Sequence, residues 1–188
     1  MNVDNETFMI MSSIKNNGQW QKNICNMDLH GNITTCHYYG SANTTVSENW
    51  TAEAMQTDNN KYAVSGRIQE LPIVIDNFYY KAFLMLMNEE CDSTAFYTYR
   101  YNNNNTASLG MCISLDEQFV LTGFVNFNNQ SMPWLLKVNE MGETQWEHIY
   151  VVENEYENSF NRCNRLCWQT ITSGAHRKRA RNNLLCSG

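Results

Sequence analysis

The strongest constraint on how this chain can fold is that it writes one line several times. "YAVSGRI" at 62–68 and "FVLTGFV" at 119–125 share an aromatic residue, two apolar residues, a small residue and glycine in one order, and the chain ends on "LLCSG" at 184–188. "FMIMS" at 8–12 is the same line with Ser12 in the glycine place. The starts at Phe8, Tyr62, Phe119 and Leu184 lie 54, 57 and 65 residues apart. Self-similarity at such a period belongs to stacked units, none of which can bury its own apolar surface alone.

The line is one part of a longer unit. "WLLKVNEMG" at 134–142 aligns with "FLMLMNEEC" at 83–91 and "NICNMDLHG" at 23–31, which puts Asn139, Asn88 and Asp28 at the sixth place. Eight residues beyond the last letter of each stands a tyrosine: Tyr150, Tyr99 and Tyr39. Ahead of the glycine line lie "AMQTDNNKY" at 54–62, "CISLDEQF" at 112–119 and "CWQT" at 167–170. The fourth copy is interrupted by "ITSGAHRKRARNN", and a second alignment sets "TSGAH" in its turn place.

Each unit holds about four apolar segments, rich in Val, Ile, Leu, Phe, Tyr and Met and separated by Asn, Asp, Gly and Glu. That is strand composition with turn punctuation. "QWEHIY" at 145–150 alternates, and no segment carries a helical i, i+3, i+4, i+7 stripe over three turns. The glycine closing the second segment predicts a bulge or a close backbone approach.

Four short strands in a unit of about 50 residues, repeated in tandem, predict an all-β protein of four-stranded antiparallel blades, the arithmetic of a β-propeller. The expected blades cover 6–50, 51–107 and 108–160, with a partial fourth at 161–188. Strands are expected near 8–13, 23–28, 62–68, 83–88, 119–125 and 134–139. An immunoglobulin-like sandwich uses similar strands but does not predict four pieces recurring in order.

The combined pattern, Y-V-L-x-G, then W-L-L-K-x-D/N-x-x-G-x-x-x-W, then Y, resembles the blade repeat of large secreted and cell-surface β-propellers of bacteria and some protists. The copy at 119–150 matches it best. Its Gly142-x-x-x-Trp146 also resembles the docking element of quinoprotein-like propellers, whose tryptophan packs between adjacent blades; Thr35 and Ala95 hold that place in the first two copies. The resemblance implies a ring with more blades than are present here, so missing blades of the same chain are expected partners. It implies a non-enzymatic module that binds a protein or glycan through rim loops, secreted or at the cell surface. A quinoprotein-like oxidoreductase or assembly scaffold, and a propeller hydrolase or lyase, are the alternatives. Trp134 and Trp146 are expected to be structural, buried in or between sheets.

Charge argues against one class of partner. Four of the thirteen Lys and Arg lie in Arg177-Lys178-Arg179-Ala180-Arg181, so residues 1–176 carry nine bases against nineteen acids, a net of −10. A nucleic-acid backbone demands clustered bases. The basic cluster reads as a solvated loop, with anion binding or a localisation signal as its alternatives. No membrane span is expected, because the longest useful apolar run, 82–87, is far short of the roughly 20 residues a spanning helix needs. "FMIM" at 8–11 is too short for the apolar region of a signal peptide, and acids precede it.

No catalytic, cofactor-binding or metal-binding residue is assigned. The seven cysteines (Cys25, Cys36, Cys91, Cys112, Cys163, Cys167, Cys186) form no C-x-x-C pair, and Cys163-x-x-x-Cys167 has no histidine at zinc-finger spacing. They are expected as small core residues, with at least one thiol left free by the odd count. Glu89-Glu90-x-Asp92 and Glu153-x-Glu155-x-Glu157 read as solvated turns and lack the EF-hand loop. Among His30, His37, His148 and His176 only His37 adjoins a cysteine, and neighbours on a strand point to opposite faces. No G-x-S-x-G elbow or phosphate-binding glycine loop is present. Six N-x-S/T sequons, at Asn5, Asn32, Asn43, Asn49, Asn104 and Asn129, fall near expected turns and suit glycosylation in a secretory route.

Overall fold

The computed structural model describes residues 8–16, 19–40, 44–46, 53–57, 61–70, 79–127 and 130–150. Among the described residues every regular element is a strand. These are β1 (Phe8–Asn16), β2 (Gln19–Met27), β3 (Ile33–Tyr39), β4 (Thr44–Val46), β5 (Glu53–Gln56) and β6 (Tyr62–Glu70). They continue with β7 (Tyr80–Met87), β8 (Ser93–Tyr99), β9 (Thr106–Ile113), β10 (Phe119–Phe127), β11 (Gln130–Val138) and β12 (Thr144–Ile149).

Three antiparallel sheets result. Sheet 1 has the order β1-β2-β3. Sheet 2 runs β6-β7-β8, with β4 and β5 both paired to the other edge of β6. Sheet 3 runs β9-β10-β11-β12. The expected strands coincide with β1, β2, β6, β7, β10 and β11, except that β2, β7 and β11 each end one residue before the expected end.

The sequence repeat is a repeat of register. Phe8 stands opposite Met27, Tyr62 opposite Met87 and Phe119 opposite Val138. The next pairing slips at one equivalent place in all three sheets: Asn26/Met27, Leu86/Met87 and Lys137/Val138. Each slip leads into the same turn. Asp28 accepts from the backbone N–H of His30 and Asn32 at 2.9 and 2.8 Å, Asn88 from Glu90 and Asp92 at 3.1 and 2.8 Å, and Asn139 from Met141 and Glu143 at 3.0 and 2.9 Å. The Asx side chain at the sixth place therefore folds the chain over itself, which is why Asp or Asn recurs there. The fourth residue of each turn is left-handed: Gly31 at φ 85°, Cys91 at 65° and Gly142 at 75°.

The glycine of the recurring line lies in mid-strand, since β6 and β10 run on past Gly66 and Gly123. Its close-approach role holds. The register of β10 on β9 slips between Thr122 and Gly123, and a Cβ on Gly123 would lie 1.8 Å from the Ala107 carbonyl oxygen. In sheet 2 the first strand breaks at the matching place, with β5 pairing as far as Ser65 and β4 resuming at Ile68.

Two cores lie between the sheets. Tyr62, Val64, Ile68, Phe83, Met85 and Met87 of sheet 2 pack with Ile24, Met9, Met11 and Tyr39 of sheet 1. On the opposite face, Ala63, Ala82, Leu84 and Tyr99 pack with Met111, Leu121, Trp134, Leu136 and Val138 of sheet 3. Strands β6 and β7 are buried on both faces, so they read as nearly continuous apolar runs instead of clean alternation. Each such side chain contributes about 1.5–3 kcal/mol by leaving water.

Gly123→Ala is expected to destabilise the protein by about 3 kcal/mol or more, since the added methyl meets a backbone carbonyl that cannot move without opening the β9–β10 ladder. Gly31→Ala, with nothing within 4 Å of its new Cβ, carries only the left-handed backbone strain of about 1–2 kcal/mol. Urea midpoints of the two variants check the difference; equal losses would refute the close approach.

Candidate functional site

A polar contact between sheets repeats as regularly as the cores. The Tyr39 hydroxyl, at the end of β3, donates to the Cys91 carbonyl in the β7–β8 turn and accepts from Ser93 N–H at 3.0 Å. At the next interface the Tyr99 hydroxyl, at the end of β8, donates to the Gly142 carbonyl in the β11–β12 turn at 3.2 Å. Cys91 and Gly142 are equivalent left-handed residues. Such a residue swings its peptide out of the ladder, and the tyrosine satisfies the carbonyl that results. Burial raises the pKa of both phenols; around Tyr39 the Ser93 bond opposes the rise and Asp92 and Cys91 reinforce it. Both remain neutral donors at ordinary pH.

Neighbouring groups extend the contact. Asn26 Nδ2 donates to the Glu89 carbonyl at 2.6 Å, and its Oδ1 accepts from the Cys91 thiol at 3.0 Å. The Tyr97 ring lies over Gly142, where a Cβ would meet it at 2.3 Å. Tyr97 holds the repeat place that His37 holds one sheet earlier. There His37 Nε2 lies 3.4 Å from Asp92 Oδ1, again over the neighbouring turn.

A second polar seam crosses between sheets 2 and 3 near their first strands. Glu53 on β5 accepts from the Met111 N–H of β9 at 2.7 Å, occupying a donor on an edge strand. Burial raises the Glu53 pKa, and the Met111 bond opposes that rise. Buried Ser65 and Ser108 hold their hydroxyls 3.2 Å apart. Nearby Cys112 is pushed up to about 11, by burial first and by Glu53 second. A thiol so raised is a poor nucleophile, and the seam reads as a structural one.

Among the described residues the other chemistry-bearing side chains do not converge. Glu89, Glu90 and Asp92 lie exposed around the Asn88 turn, and no cluster that could hold a metal ion occurs among the described residues. His30 lies exposed in the first turn, and His148 is exposed with its ring centroid 5.3 Å from that of Trp146. Asn32 and Asn104 lie in or beside turns, as expected of sequons. Glu153, Glu155, Glu157, His176, Cys163, Cys167, Cys186, the basic cluster at 177–181 and the sequons Asn5, Asn43, Asn49 and Asn129 lie outside the described residues.

Cysteine and tryptophan divide the expectations. Cys91 and Cys112 are free and buried, as small core residues should be. Cys25 and Cys36 instead form a disulfide directly across β2 and β3, with Cα atoms 4.0 Å apart. Aligning the Asp28 turn with its two copies would have placed this pair opposite one another. Trp134 is 1% exposed and donates to Glu147 Oε1 at 2.7 Å, so it is structural as expected. Trp146 is 36% exposed on the edge strand β12, which corrects its expected burial between sheets. Among the described residues no further sheet pairs with β12.

The chain matches no family model and no curated protein.

Tyr99→Phe removes a half-buried hydrogen bond and is expected to lower stability by about 1 kcal/mol. Trp146→Ala is expected to cost less than the roughly 3–5 kcal/mol of a fully buried tryptophan, because part of its side chain stays in water. Denaturant unfolding of both variants is the check; a loss of about 5 kcal/mol or more for Trp146→Ala would contradict this assignment.

Proposed function

We propose that this chain is part of a β-propeller that serves as a binding or scaffolding module. The observation that carries the reading is the repetition of one interface. Sheet 1 meets sheet 2, and sheet 2 meets sheet 3, through equivalent apolar faces and an equivalent tyrosine-to-turn bond. A rule by which each sheet covers the next is what generates a ring of blades.

The loops support recognition over catalysis. In an antiparallel meander, successive connections alternate between two ends of the sheet. At one end the turns after β2, β7 and β11 share one hydrogen-bonded geometry. At the other end two connections are two residues long, 17–18 after β1 and 128–129 after β10, and the one after β6, 71–79, is nine. Variation in loops on a constant frame is the ordinary layout of a binding surface. The 71–79 connection, "LPIVIDNFY", is apolar and aromatic with a single acid. Tyr79 at its end is exposed, with the Arg100 guanidinium over its ring, 5.4 Å from the centroid. A connection of that composition suits an apolar protein segment or the carbon face of a glycan.

Trp146, the residue on which the quinoprotein-like alternative rests, is 36% exposed, so it lends that alternative no added support. A secreted or cell-surface setting fits the Cys25–Cys36 disulfide, since such bonds persist in oxidising compartments.

Replacing 71–79 with a two-residue Asn-Gly turn, the length found at the other two hairpins, tests the reading. The protein is screened against a glycan array and a library of secreted proteins. The loop variant is expected to keep its unfolding midpoint and lose the captured ligand, whereas Glu90→Gln on the opposite end keeps it. Binding that survives the loop replacement would overturn the proposal.

A further inference from the structure

Arg100 is a cation without a counter-charge. It follows Tyr99, which pairs with Ala82 near the start of β7, so it lies at the end of sheet 2 that carries the 71–79 connection. The residue is half-buried, and its guanidinium Nε and Nη2 are enclosed with no hydrogen-bond partner. The guanidinium stands 5.4 Å from the centroid of the Tyr79 ring and forms no ion pair among the described residues. The neighbouring sequence supplies no acid either. Residues 77–88 and 93–115 contain none, and Asp92 and Asp116 lie in turns at the opposite end of the sheets. Arginine does not shed its proton, and a desolvated charge left unpaired is costly. The planar fork of a guanidinium matches two oxygens of one carboxylate or sulfate.

The neighbours of Arg100 say what carries that anion. With Arg100 over it, the Tyr79 side chain is still 44% exposed, which leaves ring surface for the C–H face of a sugar. Asn102 and Asn103, just beyond Arg100, hold exposed carboxamides on left-handed backbone at φ 42° and 62°. An amide both donates and accepts, as the hydroxyls of a sugar require.

We propose that Arg100, Tyr79, Asn102 and Asn103 form a binding site for an acidic glycan. Its carboxylate or sulfate takes the Arg100 guanidinium, its ring lies on Tyr79, and its hydroxyls reach Asn102 and Asn103. An acidic peptide offers the charge but not the hydroxyl-rich ring that the tyrosine and the amides match. The inference rests on the binding-module reading and names the class of ligand for the end of the sheets which that reading uses.

Titration calorimetry of the 188-residue protein with matched oligosaccharides is the test. The probes are an oligogalacturonate, its methyl ester, a sulfated galactose oligomer and the same oligomer without sulfate. At least one charged probe is expected to bind at least roughly tenfold more tightly than its neutral partner, as a charge-assisted contact implies. Whether the carboxylate or the sulfate is preferred identifies the acid. Arg100→Gln should abolish the preference for charge, and Arg100→Lys should restore only part of it, because an ammonium keeps the charge without the fork. Arg100→Gln should also keep the unfolding midpoint, since it removes a charge that nothing in the chain pairs. Tyr79→Leu should weaken charged and neutral probes alike, and Glu90→Gln at the opposite end should change neither. Equal binding of charged and neutral probes, no binding of any probe, a charge preference that survives Arg100→Gln, or a Glu-rich peptide bound as tightly as the sugars would each overturn the proposal. Arg100→Gln leaves the 71–79 connection intact, so a ligand that is lost with that connection but ignores Arg100→Gln removes this inference and keeps the binding-module reading.

Discussion

A sheet with apolar side chains on both faces must be covered on both, and everything else in this structure follows from that demand in sheet 2. Phe83, Met85 and Met87 point one way from β7, and Ala82 and Leu84 point the other. No single sheet can bury both sets, so sheet 2 is stable only between neighbours. Local hydrogen bonding builds each sheet, but apolar burial on both sides of the middle one makes the three a unit.

The tyrosine contacts add direction to that burial. Apolar packing alone tolerates sliding of one sheet over another, because it is non-directional. A hydroxyl aimed at one carbonyl does not. Tyr39 on the Cys91 carbonyl and Tyr99 on that of Gly142 fix each sheet against the next turn. The turn must in turn be left-handed at that residue, and this links the Asx at the sixth place to the packing between sheets. The side chains of Asn26 and Tyr97 thicken the same contact without being strict copies of each other.

Much of the frame was legible in the sequence because it is written in linear order. The recurring line, the Asx turn and the strand positions all follow from local pattern, and the three registers agree with the alignment. The tyrosine at Tyr39, Tyr99 and Tyr150 was visible as a recurrence, but its role was not, since the reach to another sheet is set by packing. Gly123 was legible as a close-approach site within the expected strand, but not that the bulge beside it belongs to the partner strand β9. Trp146, 36% exposed, shows the limit of a motif, since burial requires a neighbouring surface that five letters do not encode. The Cys25–Cys36 bond was recoverable from the hairpin register, although cysteine spacing alone conceals it.

Hydrogen exchange measured strand by strand tests the central claim most directly. If burial on both faces of sheet 2 holds the molecule together, the ladder amides of β7 exchange slowest and share the rate of global unfolding. Those of β1, on the sheet with an open face, exchange faster through local opening. Protection of β1 equal to that of β7 under conditions where the protein is monomeric would contradict the account.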